Sequence, residues 1–177
     1  MEDKHQARLC TPIGTLLLQE CDGRLTDLTI IPPGEPLPQA GAAAGSVLPR
    51  ALCQLKEYFT GRRTSFDLPL AVTARTEFGR RVVQRLAEIP YGETLSYGEL
   101  AAQSGSPRAA RAVGRVMAVN PLPIIIPCHR VVAACGLAGG YSGGGGEHTK
   151  RWLLDFERVN RDRKDGRIPV KVSEFSD

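Results

Sequence analysis

The sequence predicts an α+β fold, with a small N-terminal antiparallel-sheet domain and a mainly helical C-terminal domain that contains a helix-turn-helix. Three observations carry that prediction. Two strand-like runs, at 16–18 and 25–31, flank a turn at Asp22-Gly23. From Phe78 onward the apolar residues change to helical spacing. Two helix-start signals, Ser96 with Glu99 and then Ser106-Pro107, enclose a short turn at Ser104-Gly105. The expected divisions are an α+β domain over 1–74, a second domain over 75–158 and a charged tail over 159–177.

Each element has its own warrant. Residues 32–46 carry too much Pro and Gly for regular structure and are expected to form a mobile loop. A helix is predicted over 48–60, with Leu52, Leu55 and Phe59 on one side and Gly61 as its stop. Residues 65–70 are expected as a further strand. The next helix opens at Thr76 and keeps Phe78, Val82, Leu86 and Ile89 in helical register until Pro90-Tyr91-Gly92 breaks it. A short helix over 97–103 starts from the capping pair Ser96 and Glu99. Another is expected from Ser106-Pro107 to about Val119. After a glycine-rich stretch, a helix over 150–157 turns Trp152, Leu153 and Phe156 inward, and the tail beyond it is expected to be mostly disordered or loosely docked.

Composition narrows the function classes. Of 177 residues, 42% are hydrophobic and 24% charged, which is ordinary for a globular chain. No apolar run approaches the ~20 residues of a membrane span, and the first residues lack a signal-peptide pattern. A cytoplasmic protein is expected, nuclear if its cell has a nucleus. The five cysteines include no C-x-x-C pair, so free thiols in a reducing compartment fit better than disulfides. The net charge of +4 is modest, but no Asp or Glu occurs between Glu99 and Glu147, an interval that contains Arg108, Arg111, Arg115 and Arg130. Such a segment suits a polyanion. On a helical wheel Arg108, Arg111 and Arg115 share one face, opposite Val113, Val116 and Met117, while Ala110, Ala112 and Gly114 would let a bulky ligand approach the backbone. A solvated amphipathic face explains the same pattern equally well when it is taken alone.

The chemistry concentrates at Pro127-Cys128-His129-Arg130, which ends the apolar run 122–126. A thiol becomes a strong nucleophile only on ionising, and a neighbouring imidazole or cation promotes that. An isolated Cys-His pair is more often a buried small hydrophobe with a neighbour. The surrounding motifs argue otherwise. The glycine-rich stretch lacks the Lys-Ser/Thr ending of a P-loop, so a nucleoside triphosphate site is rejected.

From Phe78 to Glu157 the chain closely resembles the C-terminal domain of the O6-alkylguanine-DNA alkyltransferases, also called methylated-DNA–protein-cysteine methyltransferases. The matching motifs run 89–97 (Ile-Pro-Tyr-Gly-Glu-Thr-Leu-Ser-Tyr), 109–114, Asn120-Pro121, 126–132 (Ile-Pro-Cys-His-Arg-Val-Val), 140–144 and 152–154. Over the first domain only 11–14 and the strand pattern are similar.

The resemblance implies a DNA-repair protein that moves an alkyl group from guanine O6 to its own cysteine, once per molecule. Cys128 matches the acceptor, His129 the base that works through a water, and Glu157 the carboxylate that orients it. Asn120 matches a residue that ties the helix-turn-helix to the active-site segment, and Tyr97 the phenol that donates toward the guanine. Ser142 lies where a backbone N–H reaches the alkylated oxygen, Tyr141 and Pro123 match pocket walls, and the carbonyls of Cys128 and Val131 match acceptors for the exocyclic amine. Arg111 matches the arginine that replaces an extruded base, with Arg108, Arg115, Ala110, Gly114 and Arg130 placed alongside it as DNA-binding residues. The second helix of the motif is expected in the minor groove of double-stranded DNA carrying O6-alkylguanine.

No cofactor, no membrane association and a monomer are expected. Some members of the family hold zinc in the first domain. Here His5, Cys10 and Cys21 are present without a second matching histidine, and His148 lies in the other domain, so no zinc is expected. The stretch 143–149 is about two residues longer than the family pattern. Two other classes compete: a non-catalytic helix-turn-helix protein that binds DNA lesions, and a Cys-His hydrolase with turnover.

Overall fold

The computed structural model describes residues 4–36, 46–72, 74–134, 136 and 138–164. It opens with an antiparallel meander of three strands, β1 (Lys4–Thr11), β2 (Gly14–Cys21) and β3 (Arg24–Ile31), in the order β1-β2-β3. The β2–β3 turn places Asp22 and Gly23 at φ 51 and 71, the two positive angles of a type I′ hairpin. At the β1–β2 turn Gly14 has φ +115, and a Cβ there would lie 2.3 Å from the Ile31 carbonyl oxygen, so this close approach requires glycine.

Strand β1 escapes a reading of the sequence. It alternates buried Ala7 and Leu9 with exposed Arg8 and Cys10, but two apolar positions, one of them Ala, make too short a pattern to read. The strand expected over 65–70 is an extended segment with a single bridge, Leu25 to Leu70. Pro69 offers the Leu25 N–H its carbonyl at 2.9 Å but has no N–H of its own to extend a ladder. Gln54 holds this segment through a pair of 2.9 Å hydrogen bonds to the backbone of Asp67.

Helix α1 (Leu48–Phe59) packs Leu48, Ala51, Leu55 and Tyr58 inward. Helix α2 (Glu77–Ala87) begins at a Thr76 cap that accepts from the Gly79 N–H at 3.0 Å. Strand β4 (Leu95–Ser96) leads into α3 (Tyr97–Gln103), whose capping box is formed in both directions: Glu99 N–H to Ser96 Oγ and Ser96 N–H to Glu99 Oε2. Helix α4 (Ala110–Ala118) starts later than expected. The Ala109 N–H bonds the Ser106 carbonyl at 2.9 Å and closes a separate turn, so Ser106 does not cap α4 and Arg108 precedes the helix. A 3-10 turn, Cys128–Arg130, runs into β5 (Val131–Val132), which pairs in parallel with β4.

Helix α5 (Glu147–Lys164) is the largest departure from expectation. It begins three residues early and continues through 158–164, which had been expected in a loose tail. Arg161 anchors this extension by donating to the Gly92 carbonyl at 2.7 Å, and Asn160 donates to the Phe156 carbonyl at 3.0 Å. The rest of the tail, 165–177, and the middle of the expected mobile loop, 37–45, lie outside the described residues.

One cluster of buried side chains joins the sheet, α1, the helix-turn-helix and α5. Among the described residues no helix is long and apolar enough to cross a membrane.

Candidate active site

The chain enters the site through a strained backbone. Ile124, 1% exposed, has φ 75, a region β-branched residues avoid. Such a conformation costs of order 1–3 kcal/mol and persists only where surrounding contacts impose it. Here the Ile126 N–H bonds the Leu122 carbonyl at 2.8 Å, and Pro123 bridges Ile126. The tight course delivers Cys128 to the start of the 3-10 turn.

Asn120, just past the end of α4, donates to the Ile126 carbonyl at 2.9 Å and to Cys128 Sγ at 3.2 Å, while its Oδ1 accepts from the Leu122 N–H at 3.2 Å. It thus fastens the helix-turn-helix to the cysteine segment. Burial pushes the Cys128 thiol up, against the Asn120 hydrogen bond and the Lys150 charge, which pull it down. The resting group is therefore a protonated thiol, protected from casual oxidation and in need of a base.

His129 and Glu157 supply that arrangement. Glu157 is fully buried and accepts from His129 Nε2 at 2.8 Å, from Arg130 Nε and Nη2 at 2.8 and 2.9 Å, from the Tyr58 hydroxyl at 2.7 Å and from the Gly92 N–H at 3.0 Å. Burial alone would raise the pKa of this carboxyl, but the charges and hydrogen bonds of His129 and Arg130 outweigh it and hold the group well below the usual carboxylate range. Against an ionised acceptor, Nε2 carries the imidazole proton. Nδ1 of His129 is left buried without a partner among the described residues, a free lone pair. Burial also lowers the basicity of His129, which Glu157 partly restores, so the imidazole rests neutral.

A cavity of about 250 Å³ is lined by Cys128, by Gly114, Met117 and Ala118 of α4, by Tyr97, and by Gly140, Tyr141 and Ser142. The Tyr141 hydroxyl is buried against Cys128 without a hydrogen bond of normal geometry, and its burial and the nearby sulfur raise its pKa. Burial and the same sulfur raise that of Tyr97. Lys150 completes the surroundings: it is fully buried, lies 5.7 Å over the Tyr97 ring, and donates to the Gly140 carbonyl at 3.3 Å.

The structure therefore brings together Cys128, His129, Glu157, Asn120, Tyr97, Tyr141 and Ser142. Neither Pro123 nor Val131 is among the described residues lining the cavity; both are buried. Arg108, Arg111 and Arg115 are exposed, and Ala110 and Gly114 are half-buried between them and the core. Arg130 does not join that face. It is 5% exposed, holds Glu157 with two nitrogens and donates from the third to the Ile89 carbonyl at 2.7 Å, so its expected place on an exposed face with the other three arginines is corrected.

Two members of the site carried no sequence signal for their role. Lys150 appeared only as the start of a helix, and Tyr58 only as a residue of α1. Val119, at the end of α4, is 77% exposed, the one large hydrophobic so exposed among the described residues.

Residues 77–159 match the family model of the 6-O-methylguanine DNA methyltransferase DNA binding domain, and residues 6–72 match that of the ribonuclease-like domain of the same proteins. The chain belongs to the 6-O-methylguanine DNA methyltransferase family. A methylated-DNA–protein-cysteine methyltransferase of Mycobacterium bovis is 44% identical over 160 residues, covering 87% of this chain and 92% of that one. The constitutive protein of that name from Bacillus subtilis is 40% identical over 159 residues, covering 87% and 95%. Among solved family structures, the crystal structure of Mycobacterium tuberculosis OGT in complex with DNA has a TM-score of 0.77 at 42% identity, covering 88% of this chain and 94% of that one.

Proposed function

We propose that this protein repairs DNA by transferring the alkyl group of O6-alkylguanine irreversibly to Cys128. The observation that carries the reading is the chain Cys128, His129, Glu157, in which an imidazole with a free Nδ1 is held by a buried carboxylate next to a thiol lining a ligand-sized cavity. The thiol proton passes to His129 Nδ1 through one bridging water. Sγ then attacks the alkyl carbon, the bond from that carbon to O6 breaks, and its electron pair stays with the guanine. Tyr97, on the cavity wall, is the phenol placed to donate to the ring as it gains charge, and the Ser142 backbone N–H serves the oxygen. The carbonyls of Cys128 and Val131 accept from the exocyclic amine.

The thioether formed is stable, and nothing in the chemistry returns the thiol, so each molecule acts once. The partner is double-stranded DNA, bound by a monomer through the exposed face of Arg108, Arg111 and Arg115. Ala110 and Gly114 allow α4 to approach the minor groove closely. Arg111 fills the space of the flipped nucleotide, offsetting part of the few kcal/mol of lost stacking. Contacts to phosphate dominate and impose little sequence preference. No metal or other cofactor enters this chemistry, and the place of action is wherever the cell keeps its DNA.

The test is intact mass after incubation with duplex DNA carrying O6-methylguanine, followed by peptide mapping. A gain of one methyl group per molecule, on Cys128, is expected. Cys128→Ala should abolish it while retaining DNA binding. Methylation elsewhere, or none, defeats the reading.

A further inference from the structure

We propose that strand β3 of the N-terminal sheet sets the width of the alkyl-binding cavity, with Ile30 as a specificity-determining residue that supports the loop bearing Tyr141 and Ser142. The inference rests on the alkyl-transfer reading of the cavity. It starts from two contacts that β3 makes with segments that lead to the site. The Leu28 N–H donates to the Pro121 carbonyl at 2.7 Å, next to the Asn120 that holds Cys128. Two residues on, Ile30, whose side chain shares a face of the strand with that of Leu28, lies under the glycine loop. A Cβ on Gly144 would stand 2.7 Å from Ile30 Cγ2, and one on Gly143 would stand 3.1 Å from Ile30 Cδ1 and 2.9 Å from Tyr141 Cε1.

The loop backbone thus rests directly on the Ile30 side chain, which is 5% exposed. Immediately before this contact Tyr141 and Ser142 line the cavity. Among the described residues, the glycine run hydrogen-bonds to itself and to α5: Gly145 N–H to Thr149 Oγ1 at 2.9 Å and Gly146 N–H to the Gly143 carbonyl at 3.0 Å. Four consecutive glycines give it little stiffness of its own. The position of the rim relative to Cys128 is then imposed from below, by a strand whose spacing is fixed by its pairing with β2. Shortening residue 30 lets the loop settle toward the sheet and widens the cavity. Adding bulk at Gly144 lifts the loop and narrows it.

The experiment compares wild type, Ile30→Val, Ile30→Ala and Gly144→Ala. Rates of alkylation at Cys128 are read by peptide mass with duplexes carrying O6-methylguanine or O6-benzylguanine. In parallel, Cys128 is labelled with iodoacetamide or the larger N-benzyliodoacetamide, which reports cavity width without any guanine substrate. The ratio between the two duplexes is unaffected by the fraction of folded protein, because unfolded chain repairs neither, and the iodoacetamide ratio is read on variants whose circular dichroism matches wild type. Each bulky-to-small ratio should rise in the order wild type, Ile30→Val, Ile30→Ala, by roughly fivefold or more at the end of the series. It should fall in Gly144→Ala and recover in part when Ile30→Ala is added, because Ile30 Cγ2, the nearest atom in conflict, is then gone while Thr149 Oγ1 at 3.1 Å remains. Should Gly144→Ala fail to fold, its φ of +53 being unfavourable for alanine, the Ile30 series decides by itself. Ratios that stay constant while both rates fall together, or that move the opposite way, overturn the proposal. Wild type that accepts neither duplex defeats alkyl transfer, and the iodoacetamide pair still decides the role of β3.

Discussion

The Tyr58 hydroxyl in α1 and the Glu157 carboxylate in α5, 99 residues apart in sequence, meet in a 2.7 Å hydrogen bond inside the core. The oxygen that accepts from Tyr58 is the one that accepts from His129, so the relay behind the nucleophile draws a donor from the N-terminal half of the chain. Tyr58 is fully buried. Burial and the neighbouring carboxylate raise its pKa well above the usual phenol value, so it remains a donor throughout the working range.

Tyr58→Phe retains the ring and its packing against Phe59, Phe66, Tyr91 and Phe156 while removing the donor. A hydrogen bond to a charged group contributes about 1.5–3 kcal/mol, and a loss in that range is expected in urea unfolding. Unchanged stability would show that Glu157 finds a replacement donor.

Glu157→Gln preserves shape but removes the charge that compensates buried Arg130. Removing one partner of a buried pair costs about 3–5 kcal/mol, and transfer should fall at least a hundredfold, on the order of what a misoriented base forfeits. The pH dependence follows from the depressed pKa of Glu157. Its contribution is present above the unfolded carboxyl value, about 4.3, and is lost as pH falls from there toward the folded value. Wild-type stability should therefore decline below about pH 4, and Glu157→Gln should show a shallower decline over the same window. Parallel acid profiles would contradict the assignment.

Lys150→Met removes a buried cation that favours the Cys128 thiolate. The pH midpoint for iodoacetamide labelling of Cys128, resolved by peptide mapping from the exposed Cys10 and Cys53, should move upward. A midpoint at or below that of wild type would show that the lysine charge does not reach the sulfur.

Arg111→Ala should slow repair of duplex DNA roughly tenfold or more, by analogy with other groups that offset base extrusion, and leave reaction with free O6-benzylguanine near the wild-type rate. An equal loss on both substrates would place Arg111 in the chemistry rather than in extrusion. The slope of log affinity against log salt should also flatten if Arg111 releases a counterion on binding.

Local chemistry was legible in the sequence and long-range geometry was not. The capping box of Ser96 and Glu99 is written within four residues, and the structure forms it as read. The Asp22-Gly23 hairpin is equally local. The motif around Cys128 pointed to a thiol with a neighbouring imidazole and, through the family resemblance, to the distant carboxylate, and the structure pairs His129 with Glu157. Arg130 misled because an arginine in an acid-free segment looks solvent-facing, whereas its partner, Glu157, comes from α5. Tyr58 was invisible for the same reason: nothing near it in sequence distinguishes its hydroxyl from any other on a core-facing helix. The helix extension to Lys164 was hidden by charge density, since Arg161 docks through a backbone carbonyl that composition does not reveal.

The two-residue parallel pair of β4 and β5 has a mechanical side. Leu95 is paired with Val131 and Ser96 with Val132. The first pair member sits two residues before Tyr97, and its partner directly follows the Cys128–Arg130 turn. The helix-turn-helix and the nucleophile segment are thus stapled twice, once through this ladder and once through Asn120 at the far end of α4. Two separated staples resist rotation as well as displacement. A load applied to α3 and α4 is therefore shared with the segment that presents the thiol, through both ties at once.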